Sequence, residues 1–253
     1  MNRASAEIIS KYFETTSARS ASLSREYYEA ALPGLRRLLR GWLPSAESSA
    51  LDLGCGLGEV LHLLVQSGCK EVVGVNLCQD EVEAARRFVE AQFHCQDILE
   101  YLKAEGPTFD WIGAFNILEH LEKEEVLDVL RLCRGRLQPG GVFVAMVPNA
   151  ISPMSSVTRH WDYTHEWAFT PNNFRQLALL TGFSPDMEFR ECGPVPHGAI
   201  SGTRWLMWQL IRAAIGGYLL VESASTKGGV YSMDMLVRLR VPVRKGARKT
   251  REG

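Results

Sequence analysis

The sequence predicts an α/β fold with a doubly wound, mostly parallel sheet of seven strands. Short apolar runs alternate with amphipathic stretches of helical spacing between about residues 50 and 148. The first of these runs ends in a glycine-rich turn at residues 54–58, with glycine at every second position. Such a turn lets backbone N–H groups approach a ligand closely, because glycine carries no side chain. Ligands of this fold class lie at the carboxyl ends of the strands.

The elements can be assigned in order along the chain. Apolar spacing predicts a first helix at residues 23–41, which Pro33 is expected to kink or restart. Strands are predicted at residues 50–53, 71–75, 93–95, 109–115, 142–147, 183–190 and 230–241, with a Pro-Gly-Gly turn at residues 139–141 before the fifth. The connecting helices are predicted at residues 59–66, 80–90, 123–137, 171–180 and 204–220.

One domain accounts for the whole chain, residues 1–253. Its 253 residues, 46% of them hydrophobic, suffice for one large core, and no linker-like stretch divides them. Residues 1–45 are expected to form an N-terminal helical lid, and residues 46–148 the cofactor-binding core. Residues 149–253 are expected to supply a substrate-binding insertion and the C-terminal part of the sheet.

Composition argues against several classes of protein. The formal net charge of -1 argues against a nucleic-acid partner, and the five basic residues at 244–251 are expected to be a solvated end. Six cysteines without Cys-x-x-Cys spacing argue against structural zinc and fit a reducing compartment. Because the sequence has no apolar signal segment and no apolar run of membrane-spanning length, we expect a cytoplasmic location.

The glycine spacing indicates which class of ligand the turn binds. The turn reads Gly54-x-Gly56-x-Gly58, and Asp52 lies two positions before it. Dinucleotide-binding turns have the spacing Gly-x-Gly-x-x-Gly, so a nicotinamide oxidoreductase is disfavoured. An acidic residue at this distance from this glycine pattern resembles the nucleotide-binding turn of S-adenosylmethionine-dependent methyltransferases.

The ends of the next strands extend the resemblance. An adenosyl ligand needs a hydrogen-bonding group for its ribose hydroxyls after the second strand, which is Asn76, and a polar group for its adenine amine after the third, which is Asp97. The order of motifs over residues 48–148 resembles the Rossmann-like methyltransferases. The resemblance implies S-adenosylmethionine as cofactor, S-adenosylhomocysteine as product, and a cofactor-binding set of Tyr28, Asp52, Gly54, Cys55, Gly56, Gly58, Asn76, Leu77, Gln96, Asp97, Ile98 and Asn116.

Asn76 is the one departure from this pattern, because similar methyltransferases usually have Asp or Glu at the position. A carboxylate accepts hydrogen bonds from both ribose hydroxyls, whereas an amide offers one acceptor oxygen and a donor group. The sequence therefore predicts that an Asn76→Asp variant binds S-adenosylmethionine more tightly than the natural chain. The same departure keeps open a non-catalytic S-adenosylmethionine-binding protein as an alternative.

The aromatic and histidine-rich residues 149–170 are expected to recognise the substrate. Within them, Asp162-x-Thr164-His165 resembles methyltransferases encoded with bacterial surface-polysaccharide and other glycan enzymes, as does Glu119-His120 after the fourth strand. The resemblance implies O-methylation of a sugar or glycan hydroxyl, with a small-molecule or lipid-linked acceptor. O-methylation of an aromatic, quinone or other metabolite hydroxyl is the alternative, since the aromatic side chains of the insertion suit stacking on either kind of ring.

Because the cofactor brings the activated methyl group, the protein mainly has to position the acceptor hydroxyl. A sugar hydroxyl is a poor nucleophile at neutral pH, so a general base is expected. His165 is favoured over His120 as this base, and its alanine variant is expected to lose turnover far more than cofactor affinity. Asp162 or Glu119 is expected to orient the histidine. No metal site is predicted, because no spacing among the acidic residues requires one.

The predicted helix at residues 203–220 is unusually apolar. Trp205 and Trp208 lie beside Arg204 and Arg212 on its narrow polar side, which suits a boundary between apolar and wet surroundings. Packing on the core, a homodimer contact, and peripheral contact with a membrane or a lipid-linked substrate are the three interpretations.

Overall fold

A central sheet with helices on both faces organises the chain, in a computed structural model that describes Ile8 and residues 23–243. The strands are β1 (Ser49–Leu53), β2 (Glu71–Asn76), β3 (Gln92–Cys95), β4 (Phe109–Phe115), β5 (Leu137–Pro148), β6 (Glu188–Glu191) and β7 (Asp234–Arg240). They lie in the order β3-β2-β1-β4-β5-β7-β6, and the first five run parallel, whereas β7 is antiparallel to both β5 and β6. The predicted fold class is confirmed. Residues 1–7 and 9–22 of the predicted lid and the basic residues 244–251 lie outside the described residues.

The helices are α1 (Arg25–Leu38), α2 (Glu59–Gln66), α3 (Gln79–Arg86), α4 (Ile98–Lys103), α5 (Lys123–Arg136), α6 (Ser155–Trp161), α7 (Pro171–Leu180) and α8 (Ala199–Ser223), with a 3-10 turn at Leu118–His120. Capping side chains explain where several of them begin. Ser24 accepts a hydrogen bond from the backbone of Tyr27 at the start of α1. Thr170 and Asn173 form a reciprocal capping box at the start of α7, where Pro171 takes the first helical position.

Five elements differ clearly from the sequence-based expectation. α1 continues through Pro33 without a break, since its buried face is maintained by Tyr28 and Leu32. β5 begins five residues early, because the chain at Gly140 adopts φ +83 and the pairing with β4 tolerates an irregularity there. Helices α4 and α6 were not predicted. The predicted strand at residues 183–190 is shorter, as Phe183 is buried against Phe143 instead of extending β6.

The core consists of two apolar layers, one on each face of the sheet. Parallel strands are buried on both faces, which explains why β1 and β4 read as nearly continuous apolar runs. Trp111 of β4 donates from its indole to the backbone oxygen of Trp42 at 2.9 Å, so its polar atom is satisfied inside the layer that also holds α1. With both faces filled, the carboxyl edge of the strands is where loops can form a site.

Helix α8 carries the largest set of exposed apolar side chains among the described residues. No residue of this fully described helix is buried, and Ile200, Leu206, Leu210, Tyr218 and Val221 are each more than half exposed. One side is held by Glu191, which accepts a hydrogen bond from Trp208 and forms an ion pair with Arg212. Among the described residues, no helix combines the length and apolarity needed to cross a bilayer. Contact of α8 with a membrane surface or with a second copy of the chain stays a prediction.

Candidate active site

The glycine turn between β1 and α2 forms one wall of the candidate site. Gly54 has φ +68, and a Cβ added there would lie 2.8 Å from Cδ1 of Ile117, so glycine is required. The backbone N–H groups of Gly54 and Cys55 both donate to the oxygen of Val75, at 2.8 and 3.1 Å, and tie the turn to β2. At Gly56 an added Cβ would meet nothing within 4 Å. The turn is therefore fixed on its protein side and open on the other.

Carboxylates lie beneath and beside this turn. Asp52 is 2% exposed, and its Oδ1 has no hydrogen-bond partner among the described residues. Burial, followed by the nearby charge of Glu59, raises the pKa of Asp52 to about 8. The hydroxyl of Tyr28 donates to the backbone oxygen of Leu57 at 2.8 Å and holds α1 against the turn. Asp52 accordingly carries its proton at neutral pH, and a cationic group bound close to it would favour the charged carboxylate.

A cavity of about 240 Å³, called the glycine-turn cavity, opens beside the turn. Four of the predicted cofactor residues line it, namely Gly54, Gly56, Asn76 and Asn116. The lining also includes Cys78, Glu81, Phe115, Ile117 and His120, of which sequence reasoning placed none but His120 in the site. Glu81 had a usable signal, since it is an acidic residue on the same helical face as the buried Val82 and Ala85.

The other predicted cofactor residues lie outside this lining. Asp97 caps α4, and its Oδ1 accepts from the backbone N–H groups of Leu99 and Glu100 at 2.8 and 3.2 Å. Ile98 is buried in the core, and the backbone N–H of Gln96 donates to the backbone oxygen of Asn76. Tyr28 and Asp52 are buried, as are Cys55 and Gly58 of the turn itself, and Leu77 follows β2 half-buried. Their contact with a cofactor stays a prediction.

A second cavity of about 400 Å³, called the histidine cavity, adjoins the first. All four predicted catalytic residues, Glu119, His120, Asp162 and His165, line it. Asn116 and His120 line both cavities, so the two spaces are neighbours on either side of these residues. Thr158 and Trp161 of the lining belong to the insertion that was expected to recognise the substrate, whereas Pro148, Met233 and Asp234 were not predicted.

His120 is oriented by a carboxylate through a threonine. The hydroxyl of Thr164 donates to Oδ1 of Asp162 at 2.6 Å, and Nδ1 of His120 lies 2.6 Å from the same hydroxyl oxygen. Because the one hydroxyl proton points to the carboxylate, we assign the hydrogen to Nδ1 of His120, which leaves the lone pair on Nε2. Burial, followed by the charge of His165, lowers the pKa of His120 to about 4. The imidazole is therefore neutral at neutral pH.

His165 lies against this first imidazole. The two ring centroids are 4.7 Å apart with an edge-to-face geometry. Nδ1 of His165 lies 2.9 Å from the backbone oxygen of Thr158, and since a carbonyl only accepts, this nitrogen carries the hydrogen. Both histidines are thus held in the same tautomer by different partners.

Glu119 completes the cluster. Its carboxyl is buried, and Oε2 has no hydrogen-bond partner among the described residues. Burial is the main cause that raises the pKa of Glu119 to about 8, and the acidic neighbours Asp234 and Asp162 add to it. One atom from each of Glu119, His120 and His165 lies within 4.8 Å of the others, so these three residues have the geometry to hold a metal ion. The expected absence of a metal stays a prediction.

The insertion that carries His165 is fixed to the sheet by its own polar groups. Asn149 donates to the backbone oxygens of Val230 and Ser232, both at 2.9 Å, at the approach to β7. The backbone N–H of Glu166 donates to the backbone oxygen of Glu119 at 2.8 Å. These contacts connect the insertion to both the strand end and the 3-10 turn, which explains how residues far apart in sequence share one cavity.

Comparison with known proteins indicates the class of protein to which the domain is similar. Residues 50–141 match a family described as "Methyltransferase domain". A ubiquinone biosynthesis O-methyltransferase of Methylocella silvestris is 30% identical over 154 residues, which cover 58% of this chain and 57% of that protein. The chain spans about half the length of the curated relatives it matches.

Solved structures share the fold over most of the chain. A SAM-dependent methyltransferase from Archaeoglobus fulgidus is 21% identical with a TM-score of 0.62, covering 90% of this chain and 99% of that one. Magnesium protoporphyrin IX methyltransferase from Synechocystis PCC 6803, solved with bound SAM, is 13% identical with a TM-score of 0.54, covering 95% of this chain and 100% of that one.

The fold is that of the Rossmann-like methyltransferases. Residues 50–141 match a methyltransferase domain, which supports the predicted enzyme class with S-adenosylmethionine as its cofactor. The predicted likeness to enzymes of glycan gene clusters stays a prediction.

Proposed function

We propose that the protein is an S-adenosylmethionine-dependent O-methyltransferase that acts on a sugar or glycan hydroxyl. The observation that carries this proposal is that Asn116 and His120 line both the glycine-turn cavity and the histidine cavity. A cofactor in the first cavity and an acceptor in the second would face each other beside an imidazole. Direct displacement needs such an arrangement, since the reacting atoms must be held about 3–3.5 Å apart.

The residues of the glycine-turn cavity fit a cationic nucleoside. The carboxyl of Glu81 lines the cavity beside an open stretch of backbone at Gly56, and the buried carboxyl of Asp52 lies on the strand before the turn. S-adenosylmethionine carries an ammonium and a sulfonium group, which complement these acids. When bound, it supplies a methyl group that passes from sulfur to the acceptor oxygen as the sulfur–carbon bond breaks and the oxygen–carbon bond forms.

His120 is the best placed of the two histidines to take the acceptor proton. It lines both cavities, and its Nδ1 is directed at Thr164 and Asp162, so that Nε2 receives the proton of the hydroxyl as that oxygen attacks. The sequence favoured His165 as the general base. We propose instead that His165 lies beside the base, with its Nδ1 hydrogen-bonded to the backbone oxygen of Thr158. The carboxylate of Asp162 would stabilise the imidazolium that forms, as in other carboxylate-oriented histidines.

The lining of the histidine cavity favours a polyhydroxy acceptor. Three acidic residues, Glu119, Asp162 and Asp234, offer several acceptor oxygens, and Trp161 offers an aromatic face that is 82% exposed. Sugar hydroxyls donate to carboxylates, and sugar rings pack on aromatic faces. The O-methyltransferase of ubiquinone biosynthesis among the relatives favours the alternative acceptor, an aromatic or quinone-derived hydroxyl.

The proposal is tested by calorimetry followed by a turnover assay. Binding of S-adenosylmethionine is expected, followed by release of S-adenosylhomocysteine with one member of a panel of sugars, glycosides, lipid-linked glycans, catechols and hydroquinones. Turnover with a sugar or glycan supports the leading acceptor class, and turnover with the phenols alone replaces it with the alternative. Binding without turnover across the panel identifies a non-catalytic binding protein, whereas no binding rejects the proposal.

A divalent cation is a second candidate for activating the hydroxyl. The buried and unpartnered Oε2 of Glu119 lies in a cluster with one nitrogen of each of His120 and His165. Both histidines bear their hydrogen on a nitrogen that is bonded to a second protein group, which is the arrangement of metal-binding histidines. Such a nitrogen and oxygen donor set suits Zn²⁺ or Mn²⁺, which lowers the pKa of a bound hydroxyl.

Chelation separates the two mechanisms. We expect turnover to survive treatment with EDTA, because the proposed base mechanism requires no cation. Loss of turnover that Zn²⁺ or Mn²⁺ restores would favour the cation instead. In that case metal analysis by mass spectrometry should find the ion in the natural protein and not in a Glu119→Gln variant.

A further inference from the structure

The sequence predicts that Asn76 accepts the ribose hydroxyls. In the structure, Asn76 is hydrogen-bonded through its side chain to another residue of the chain. It lies at the end of β2, 8% exposed, and its side-chain Nδ2 donates to Oε2 of Glu81 at 2.8 Å. A weaker contact of 3.4 Å joins the same nitrogen to the backbone oxygen of Cys78. Because a carboxylate and a carbonyl only accept, the amide must direct its NH₂ group toward Glu81 and Cys78. Asn76 therefore acts on Glu81 as a donor.

Glu81 is an unusual carboxyl for its position. It lies in the first turn of α3 with its side chain turned inward, 6% exposed, on the face that also buries Val82 and Ala85. Within residues 23–243 its hydrogen bond comes from Asn76, and no Lys or Arg forms an ion pair with it. Burying a carboxylate without a cation destabilises the fold unless another group compensates. The N-terminal end of α3 and the amide of Asn76 favour its charge only partly.

The missing partner is a ligand, because Glu81 lines the glycine-turn cavity together with Gly54, Gly56 and Asn76. A carboxylate at such a place is suited to a vicinal diol, since its two oxygens can accept from two adjacent hydroxyls. Resting on the proposed function, we propose that Glu81 is the residue that accepts the ribose hydroxyls of S-adenosylmethionine, and that Asn76 positions it. The proposed acceptor lies five residues after Asn76 in the sequence and is joined to it by one hydrogen bond.

This assignment reverses the expectation drawn from the sequence for Asn76→Asp. The variant would place a second carboxylate at the 2.8 Å distance that now separates Nδ2 of Asn76 from Oε2 of Glu81. Two carboxylates at this distance repel each other, and one of them must take up a proton. We therefore expect Asn76→Asp alone to weaken binding, and the paired change Asn76→Asp with Glu81→Gln to restore it, because the pair then again holds one carboxylate and one amide.

The experiment is calorimetric titration of S-adenosylhomocysteine and of its 2′,3′-dideoxyribose analogue into five proteins. These are the natural chain, Glu81→Gln, Asn76→Asp, the double variant, and Glu83→Gln as the matched control on the exposed side of α3. Glu81→Gln is expected to lose about tenfold to a hundredfold in affinity for S-adenosylhomocysteine and little for the analogue, which lacks the hydroxyls. Its thermal midpoint should stay equal or rise, because a neutral amide costs less to bury than a carboxylate.

Each outcome separates this proposal from the proposed function. Equal affinity of Glu81→Gln and the natural chain for S-adenosylhomocysteine, or equal losses for both ligands, overturns the role of Glu81 while leaving the cofactor in place. Tighter binding by Asn76→Asp alone also overturns it. If the natural chain binds neither ligand, the proposed function fails and the assignment of Glu81 fails with it.

Discussion

His120→Ala is expected to lower kcat by about a hundredfold to ten-thousandfold, the usual contribution of a positioned general base. The imidazole lines both the glycine-turn cavity and the histidine cavity, and Asn116 is the one other described residue that lines both. The affinity for S-adenosylmethionine should change far less, because an imidazole that takes the acceptor proton contributes mainly in the transition state. Single-turnover kinetics with the acceptor found in the panel, together with cofactor calorimetry, measure the two effects separately.

Three further variants make the result specific. His160→Ala changes an exposed histidine of α6 and should leave kcat unchanged. Thr164→Val keeps the volume but removes the hydroxyl between His120 and Asp162, so it should lower kcat by a smaller factor than His120→Ala. A larger loss for His165→Ala than for His120→Ala would assign the base to His165, as the sequence favoured.

The pH profile gives a second readout of the same residue. Since burial and His165 lower the pKa of His120 to about 4, its neutral form persists as the pH falls from 7 to 5. Activity should therefore be nearly constant over this interval and be lost only as the pH passes through about 4. A loss of activity centred near 6.5, the pKa of an unperturbed histidine, would contradict the assignment.

Much of the framework was predictable because it depends on local patterns. The bounds of α2, β4 and α7 agree with the sequence-based ranges, since each has a clear start signal or a continuous apolar run. All four predicted catalytic residues share one cavity, because carboxyl ends of parallel strands meet at one edge of a sheet. The unpredicted α6 shows the limit of this approach, as none of its seven residues is buried and no apolar period marks it.

The side-chain partners were not predictable from the same patterns. The sequence shows that Asn76 stands where similar methyltransferases have an acid. It does not show that the carboxyl of Glu81 lies beside Asn76, because that depends on how α3 packs against the end of β2. The cluster of Glu119, His120 and His165 brings together residues 45 positions apart, and contacts such as the hydrogen bond from Glu166 to the backbone of Glu119 hold them together. Sequence spacing can identify ligands that lie on the same helix or loop. This cluster instead combines the 3-10 turn at Leu118–His120 with the insertion that carries His165.

Gly54→Ala is expected to lower the free energy of unfolding by about 2–4 kcal/mol, the combined cost of a left-handed backbone and of overpacking. The residue has φ +68, and the new Cβ would lie 2.8 Å from Cδ1 and 2.9 Å from Cγ1 of Ile117. Relief of this contact must shift the turn, whose N–H groups now bond the oxygen of Val75. Cofactor affinity should fall with stability, as measured by denaturant titration and calorimetry.

A double-mutant cycle tests the stated cause. Adding Ile117→Ala removes both clashing atoms, so the double variant should lose less stability than the sum of the two single variants. Strict additivity would show that the backbone angle alone is responsible. Gly56→Ala is the matched contrast, since it has φ +50 but meets nothing within 4 Å. Its stability should fall only by the backbone cost of about 1–2 kcal/mol, while its Cβ enters the glycine-turn cavity and weakens cofactor binding. Gly54 would then be required by the fold, and Gly56 by the ligand.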